Sequence, residues 1–401
     1  MPGDDLGMFD YGDPVARWFV TEAYTIADTA QLVEQCGERL VAAGIPLYRL
    51  AYFQRLPHPE LMGRGYFWRK GQGVIRGEAS YGMLQSAEYL DNPLGVVFDR
   101  RKTIRVRLDT AETPREPILR QLKAEGGTDY VAMPVVFSTG HVDALSVVAD
   151  RAGGFSAGDL DRMYRLEYLF ARIVEIHSLR DTAVNLLDAY VGRAAGQRIL
   201  AGEVRRGDGQ TLEALIWCCD LRGFTRATDR LPREQILALL GDYFGVMAEA
   251  VEAEGGEVLK FIGDGMLAMF AVDGGVDPHS VALRALAAAD RAGAGMAMLN
   301  RRRAAAGQPP LAFGLALHRG EVMFGNIGAR ARLDFTVIGP AVNHATRLEA
   351  LCARLGQPIL VSAAVASLLP PERLLPLGAH VLKDVAEPQA VYALRPPASD
   401  V

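Results

Sequence analysis

Apolar residues recur at helical spacing from about Val15 to Ala43, at Phe19, Ala23, Ile26, Ala30, Val33 and Leu40, and the pattern stops at Gly44. This predicts one opening helix closed by a glycine, the residue at which helices most readily end. The period then shortens. Strand-like runs at Leu47 to Gln54, Gly65 to Arg69, Lys102 to Leu108, Tyr130 to Phe137 and Val142 to Ala149 are separated by Pro and Gly. The last two flank Ser138-Thr139-Gly140 and predict an antiparallel hairpin.

Helical spacing returns at Ser156, which with Asp159 is suited to cap a helix, and continues through Leu166, Leu169, Ile173, Ile176, Ala183, Leu187 and Tyr190 in steps of three and four. A helix from Asp159 to Tyr190 would be roughly 48 Å long, and its heptad seam suits pairing with a second copy, although Arg180 interrupts it. Charge and glycine from Gly202 to Gly209 mark a break. Beyond it the pattern predicts a strand (Leu212 to Cys219), a helix (Arg233 to Glu254), two strands (Glu257 to Ile262, Met266 to Val272), and a helix (Val276 to Ala306). Further strands and a last helix (Ala341 to Leu355) follow. That order suggests an antiparallel or mixed sheet with helices on one face. Expected boundaries are 1–155 for a regulatory domain, 156–208 for a helical linker and 209–401 for a catalytic domain.

A chain of 401 residues, half of them hydrophobic, is long enough for two cores. The formal net charge of -5 gives no basic face, which argues against nucleic acid as a partner. No apolar run approaches the roughly 20 residues of a spanning helix, and Met1 to Asp10 lacks the pattern of a signal peptide, so the expectation is a cytoplasmic protein that does not engage a membrane. Cys36, Cys218, Cys219 and Cys352 lack zinc spacing and read as reduced structural residues.

Three segments carry chemistry. An apolar strand delivers Asp220, followed by Leu221-Arg-Gly223-Phe224-Thr225 and a helical stretch. A carboxylate there suits Mg2+, and free backbone N–H groups of Gly223, Phe224 and Thr225 suit phosphate oxygens, although for Asp220 taken alone a capping role is the better explanation. Second, Lys260-Phe-Ile-Gly-Asp264-Gly reads as a hairpin whose Gly-flanked Asp264 needs no functional explanation alone, while Lys260 inside an apolar strand must either snorkel or meet a partner. Third, a strand carrying Thr336 runs through Gly339-Pro340 into a helix on which Asn343 and Arg347 lie four apart, hence on one face.

Together, Asp220-Leu-Arg-Gly-Phe-Thr, Lys260-Phe-Ile-Gly-Asp-Gly, Gly325-Asn-Ile-Gly and Val342-Asn-His-Ala-Thr-Arg-Leu-Glu resemble the class III adenylate and guanylate cyclases, over about Tyr190 to Leu394. The resemblance implies a ferredoxin-like α/β (α+β) catalytic domain that makes cyclic AMP from ATP as a homodimer. Asp220 and Asp264, with the backbone carbonyl of Leu221, would hold two Mg2+ or Mn2+ ions. Asn343 would orient the ribose and Arg347 would offset charge on the α-phosphoryl group. Lys260 and Thr336 would read adenine, while Arg330, Arg332 and Lys383 resemble contacts to the terminal phosphates. Guanylate cyclases of the family tend to carry Glu and Cys at the two base-reading positions. Pro340 stands where many bacterial relatives have Asp, and His318 and His344 match no catalytic position and read as structural. The alternatives are a guanylate cyclase or a catalytically silent homologue that binds nucleotide.

The stretch from Val135 to Asp161, with its paired strands and Gly153-Gly-Phe-Ser before a helix, resembles the closing part of GAF domains. This implies a GAF-like α/β sensor whose pocket takes an unidentified small molecule, or a dimerisation domain that binds nothing, with the long helix as connector.

Overall fold

In the computed structural model the chain forms two compact units, Met1–Ala189 and Tyr190–Val401. The structure describes residues 12–86, 91–229, 231–272, 275–330, 332–383, 385 and 387–396. Met1 to Asp10, and Asp384 beside Lys383, lie outside them.

In the first unit a six-stranded antiparallel sheet has the order β3-β2-β1-β6-β5-β4. Its strands are β1 (Leu47–Arg55), β2 (Leu61–Arg69), β3 (Gly73–Ser80), β4 (Ile104–Arg107), β5 (Asp129–Val136) and β6 (Val142–Ala149). Alternation of side chains divides it into two buried faces. Leu50, Tyr52, Tyr66, Trp68, Val131 and Val147 belong to a core shared with the N-terminal helices and with Met163, Leu166, Phe170 and Val174. Tyr130, Ala132, Ala144 and Val148 pack on the other side with Leu94, Val97, Leu119 and Leu122.

The expected hairpin is present, β5 pairing with β6 from Asp129↔Ala149 to Val136↔Val142. The single opening helix is not. The chain makes a helix at Pro14–Thr21, a turn at Ala23–Thr25 and a second helix at Thr29–Ala42. Asp13 caps the first, its carboxylate accepting from Val15 N, and Asp28 caps the second, accepting from Gln31 N at 3.0 Å. Two local caps thus override a continuous apolar period. Gly37 in the second helix is a close-approach position, where a Cβ would come within 2.5 Å of the Trp68 ring. Strand β3 escaped the pattern because Gly73–Ser80 is an exposed edge with little alternation.

Ser156 and Asp159 open the long helix, Ala157–Val191, by a reciprocal exchange: Asp159 N donates to Ser156 Oγ at 3.1 Å and Ser156 N donates to the Asp159 carboxylate at 2.8 Å. The seam divides. Leu166 and Ile173 are buried in the unit's own core, whereas Ile176, Leu179, Leu186 and Tyr190 are exposed.

The second unit is built on β7 (Gly209–Arg222), a helix (Arg233–Ala253), β8 (Glu257–Ile262), β9 (Gly265–Val272), a helix (Pro278–Ala305) and β10 (Ala312–Ala329). These strands stand in the order β10-β7-β9-β8 with antiparallel neighbours, the βαββαβ arrangement of the ferredoxin-like fold. Parallel β12 (Ile359–Ser362) extends the sheet beyond β10, and β14 (Gln389–Leu394) and β13 (Leu374–His380) complete it. One face packs on the two long helices through Trp217, Tyr243, Met247, Phe270 and Ala285. The other is covered by β11 (Arg332–Ile338) and the helix Pro340–Leu355 through Phe335, Val337, Ala341 and Ala345.

Alternation explains the adjacent cysteines: Cys219 enters the helix-side core while Cys218 packs on the opposite face, and both remain unpaired. His318 and His344 stack ring on ring, centroids 4.0 Å apart, and His318 Nδ1 lies 2.9 Å from Ser362 Oγ. Burial, aided by the adjacent His344 ring, pulls the His318 pKa down to about 4. Between its ordinary value and about 4 the unfolded chain binds the extra proton and the folded chain does not, so this site contributes stability that is lost as pH falls through that window. We predict that the wild-type melting temperature falls more steeply from pH 7 to pH 5 than that of His318→Asn, as read by differential scanning calorimetry; parallel slopes would contradict this.

Candidate functional site

The site grows from the end of β7. That strand extends to Arg222, beyond the expected Cys219, so Asp220 lies within the sheet, opposite Gly265 on β9 and Gly314 on β10. Asp264 occupies the turn between β8 and β9, and its backbone carbonyl accepts from Leu221 N at 3.3 Å. Backbone pairing therefore brings the two aspartates together whatever their charges prefer. Burial raises the Asp220 pKa, the charge of Asp264 raises it further, and Arg222 works against both. Two carboxylates sharing partly desolvated space form a site for a cation.

Among the described residues no group of three or more His, Cys, Asp and Glu side chains forms a metal cage. The donor set here is two carboxylates, with the Leu221 backbone beside them. Such a sparse set fits a hard divalent ion that keeps substrate and water oxygens in its shell, as Mg2+ does.

After Arg222 the chain turns through Gly223, whose φ of 74° is left-handed and suits glycine, into the short helix Phe224–Thr228. Phe224 packs against the helix-side core, while Gly223 and Thr225 are exposed.

Lys260 resolves its dilemma by meeting a partner: Nζ donates to Asp334 Oδ2 at 2.8 Å. Asp334 is on β11, two residues before Thr336 and therefore on the same face of that strand. Thr336 is only 4 % exposed, and among the described residues its hydroxyl has no hydrogen-bond partner. A buried unpaired hydroxyl costs about 1–3 kcal/mol, which a bound group able to pair with it would recover.

Pro340 occupies the first turn of its helix, where its missing N–H is harmless. Asn343 is exposed on this helix and Arg347, one turn on, is half-buried. Arg330 and Arg332 are exposed at the tip of the β10–β11 hairpin, and Lys383 is exposed after β13. No described contact draws these three to the aspartates.

Sequence reasoning missed two elements. Asp334 is one. The other is Glu349, which is buried and accepts at Oε1 from Arg222 Nη2 at 2.6 Å, while the same nitrogen donates to the Glu349 carbonyl. Burial pushes the Glu349 carboxyl up to about 7, with Arg222 pulling it down and the two aspartates pushing it up. Gly314 makes room for the pair, since a Cβ there would collide with both side chains. A signal was present: Glu349 interrupts the apolar stripe of Ala341, Ala345, Leu348 and Cys352.

Residues 210–380 match the family model of the adenylate and guanylate cyclase catalytic domain. An adenylate cyclase of Anabaena cylindrica is 35% identical over 160 residues, 40% of this chain and 31% of that protein. Adenylate cyclase 1 of Rhizobium meliloti is 31% identical over 261 residues, 62% of this chain and 38% of that protein. The matches thus span about a third of the length of these relatives. Among solved structures, the adenylyl cyclase CyaB of P. aeruginosa aligns with a TM-score of 0.43 and 28% identity over 48% of this chain and 99% of its own.

Two outcomes follow from this geometry. Without divalent metal, Asp220→Asn is expected to raise the melting temperature by about 2–4 °C, the equivalent of about 1 kcal/mol of relieved repulsion, and a fall would contradict the carboxylate pairing. Glu349→Ala should cost about 2–3 kcal/mol in urea unfolding by stranding a partly buried guanidinium, and adding Arg222→Met should recover more than half of that loss.

Proposed function

The C-terminal unit of this chain belongs to the class III adenylate and guanylate cyclase family, and from that premise we propose an adenylate cyclase that converts ATP to 3',5'-cyclic AMP and pyrophosphate. The observation that carries the choice of ATP is the buried, unpaired hydroxyl of Thr336 on the same face as the Lys260–Asp334 ion pair. A Lys ammonium donates to adenine N1, and a threonine hydroxyl accepts from the N6 amino group. Guanine presents the reverse pattern at both atoms and would leave the two groups unsatisfied.

Asp220, Asp264 and the Leu221 carbonyl would hold two Mg2+ or Mn2+ ions, which when bound supply Lewis-acid activation of the ribose 3'-hydroxyl and charge neutralisation on the triphosphate. Asn343 orients the ribose so that the 3'-oxygen lies in line with the α-phosphorus. The 3'-O–P bond forms, the bond from the α-phosphorus to the bridging oxygen of the β-phosphate breaks, the hydroxyl proton passes to solvent, and pyrophosphate leaves. Arg347 offsets the charge that builds on the α-phosphoryl oxygens. The Gly223–Thr225 amides, Arg330, Arg332 and Lys383 serve the phosphates.

Two features support a homodimer with two shared sites. Thr336 opposes Gly325 on β10 whereas Asp220 opposes Gly314, eleven residues earlier on the same strand, so one chain's base-reading and metal-binding groups occupy different stretches of it. Apolar Phe261 and Ile262, next to Asp264, and Leu333 and Ile338 on β11 are also exposed, as an interface requires. The first unit, an antiparallel sheet with both faces covered, supports a GAF-like regulatory role over 1–155, with 156–208 as transducer. No described helix is long and apolar enough to cross a membrane.

Purified full-length protein should form cyclic AMP from ATP with Mg2+ or Mn2+, and Asp220→Asn should lower kcat at least about 100-fold. Absence of product with either nucleotide and either metal would favour a silent homologue. Lys260→Glu combined with Thr336→Cys should narrow the preference for ATP over GTP at least about 10-fold in kcat/KM. Should the double variant keep the wild-type preference and rate, the base-reading assignment fails.

A further inference from the structure

The first unit contains a cavity of about 490 Å3 on the sheet face opposite the long helix. Its apolar wall includes Phe53, Phe67, Leu94, Phe98 and Ile118. Phe67 and Phe53 meet edge to face at 5.5 Å. Phe67 folds back over Gly65 and Gly77, where a Cβ would crowd its ring, so these glycines let the aromatic wall lie flat against the sheet.

The wall also carries a charge. Arg49, on β1, lines the cavity and is only 7 % exposed. Its guanidinium lies 5.5 Å from the Phe67 ring centroid, and among the described residues it has neither an ion pair nor a hydrogen bond. The nearby carboxylate, Glu125, is already engaged by Arg69 at 3.0 Å, Tyr48 Oη at 2.6 Å and Gln121 at 2.9 Å. Burial weighs most against the charge on Arg49 and the Arg69 guanidinium adds repulsion, while Tyr130, Glu125 and Tyr48 offset part of this from a distance. Arginine nevertheless stays protonated, so the positive charge remains. A second polar group stands beside it: Ser146 lines the cavity and is 1 % exposed, and among the described residues its hydroxyl has only the neighbouring Tyr130 phenol, at less than ideal hydrogen-bond geometry, to turn to. A buried arginine with no carboxylate in direct contact is costly to a fold, and the Phe67 ring offsets only part of that cost.

We propose that this cavity binds a small organic carboxylate with an aromatic or branched apolar body, its carboxylate paired with the Arg49 guanidinium and bonded by the Ser146 hydroxyl. A carboxylate matches the planar fork of one arginine, and one hydroxyl serves its remaining lone pairs. A phosphate would call for more donors than these two groups provide. The apolar wall suits a body of drug-like size, for which cavities of a few hundred cubic ångströms are usual. Arg55 and Arg64 also line the cavity; Arg64 is paired with Glu78 at 3.3 Å, which leaves Arg49 and Arg55 to favour an anion. This inference stands apart from the cyclase reading and survives if that reading fails.

The test uses the full chain and calorimetric titration with naphthalene-2-carboxylate, 3-phenylpropanoate and octanoate, each against its carboxamide, together with naphthyl phosphate. At least one carboxylate is expected to bind saturably at one site per chain, and its amide at least tenfold more weakly. Arg49→Met keeps the apolar stem and removes the charge; it should weaken carboxylate binding at least tenfold and raise the melting temperature of the ligand-free protein. Ser146→Ala should weaken binding several-fold without loss of fold, which keeps the question answerable if Arg49→Met folds poorly. The proposal is overturned if none of the three carboxylates binds, if acids and amides bind alike, if naphthyl phosphate binds in preference, or if Ser146→Ala and a folded Arg49→Met bind as wild type.

Discussion

Two carboxylates that repel one another are held side by side because the sheet leaves them nowhere else to go. Asp220 is locked between β9 and β10 by ladder pairing on both sides, and Asp264 sits in the turn whose backbone bonds to the next residue of β7. The cooperative stability of a central strand is greater than the repulsion of one pair of charges, so the backbone decides the geometry and the charges adapt. The adaptation shows in Asp220, whose carboxyl pKa is raised by burial and by the charge of Asp264.

The same strand supports the rest of the site. Arg222, two residues past Asp220, reaches Glu349 on the helix that carries Asn343 and Arg347. One rigid element therefore sets both the aspartates and the register of the polar face of that helix. Under the homodimer reading those two groups serve different sites, so the Arg222–Glu349 pair would tie the geometry of one site to that of the other. Beneath the strand, Trp217, Tyr243 and Phe270 fill the helix-side core and fix its height over the two long helices.

The two units treat unpaired polarity differently. In the second, the Thr336 hydroxyl is buried on the face of β11 that also carries Asp334 and its partner Lys260. In the first, Arg49 and Ser146 are enclosed by their own unit on a sheet face that the long helix does not touch. A ligand there would reach the long helix through strands β1, β5 and β6, whose alternate residues line the cavity and the helix-side core, and through Gln54, which lines the cavity and donates to Asp181 of that helix at 3.2 Å.

The local geometry of the candidate site was legible in the sequence because its parts lie in short segments: Asp220 near the end of an apolar strand, Asp264 in a Gly-flanked turn, Asn343 and Arg347 a helical turn apart. The period of apolar residues was also enough to locate β6, β8 and the helix Arg233–Ala253 to within about a residue. What failed were features set by competition between local and distant terms. Asp28 broke a periodic helix by capping its own, and the bland edge strand β3 is held by pairing with β2 rather than by pattern. Only the tertiary structure could give Lys260 its Asp334, Arg222 its Glu349 and Arg49 an aromatic ring in place of a carboxylate. Those depend on side chains separated by tens of residues in sequence meeting, or failing to meet, in a desolvated interior, where the energy of a charge is set by what surrounds it rather than by what precedes it in the chain.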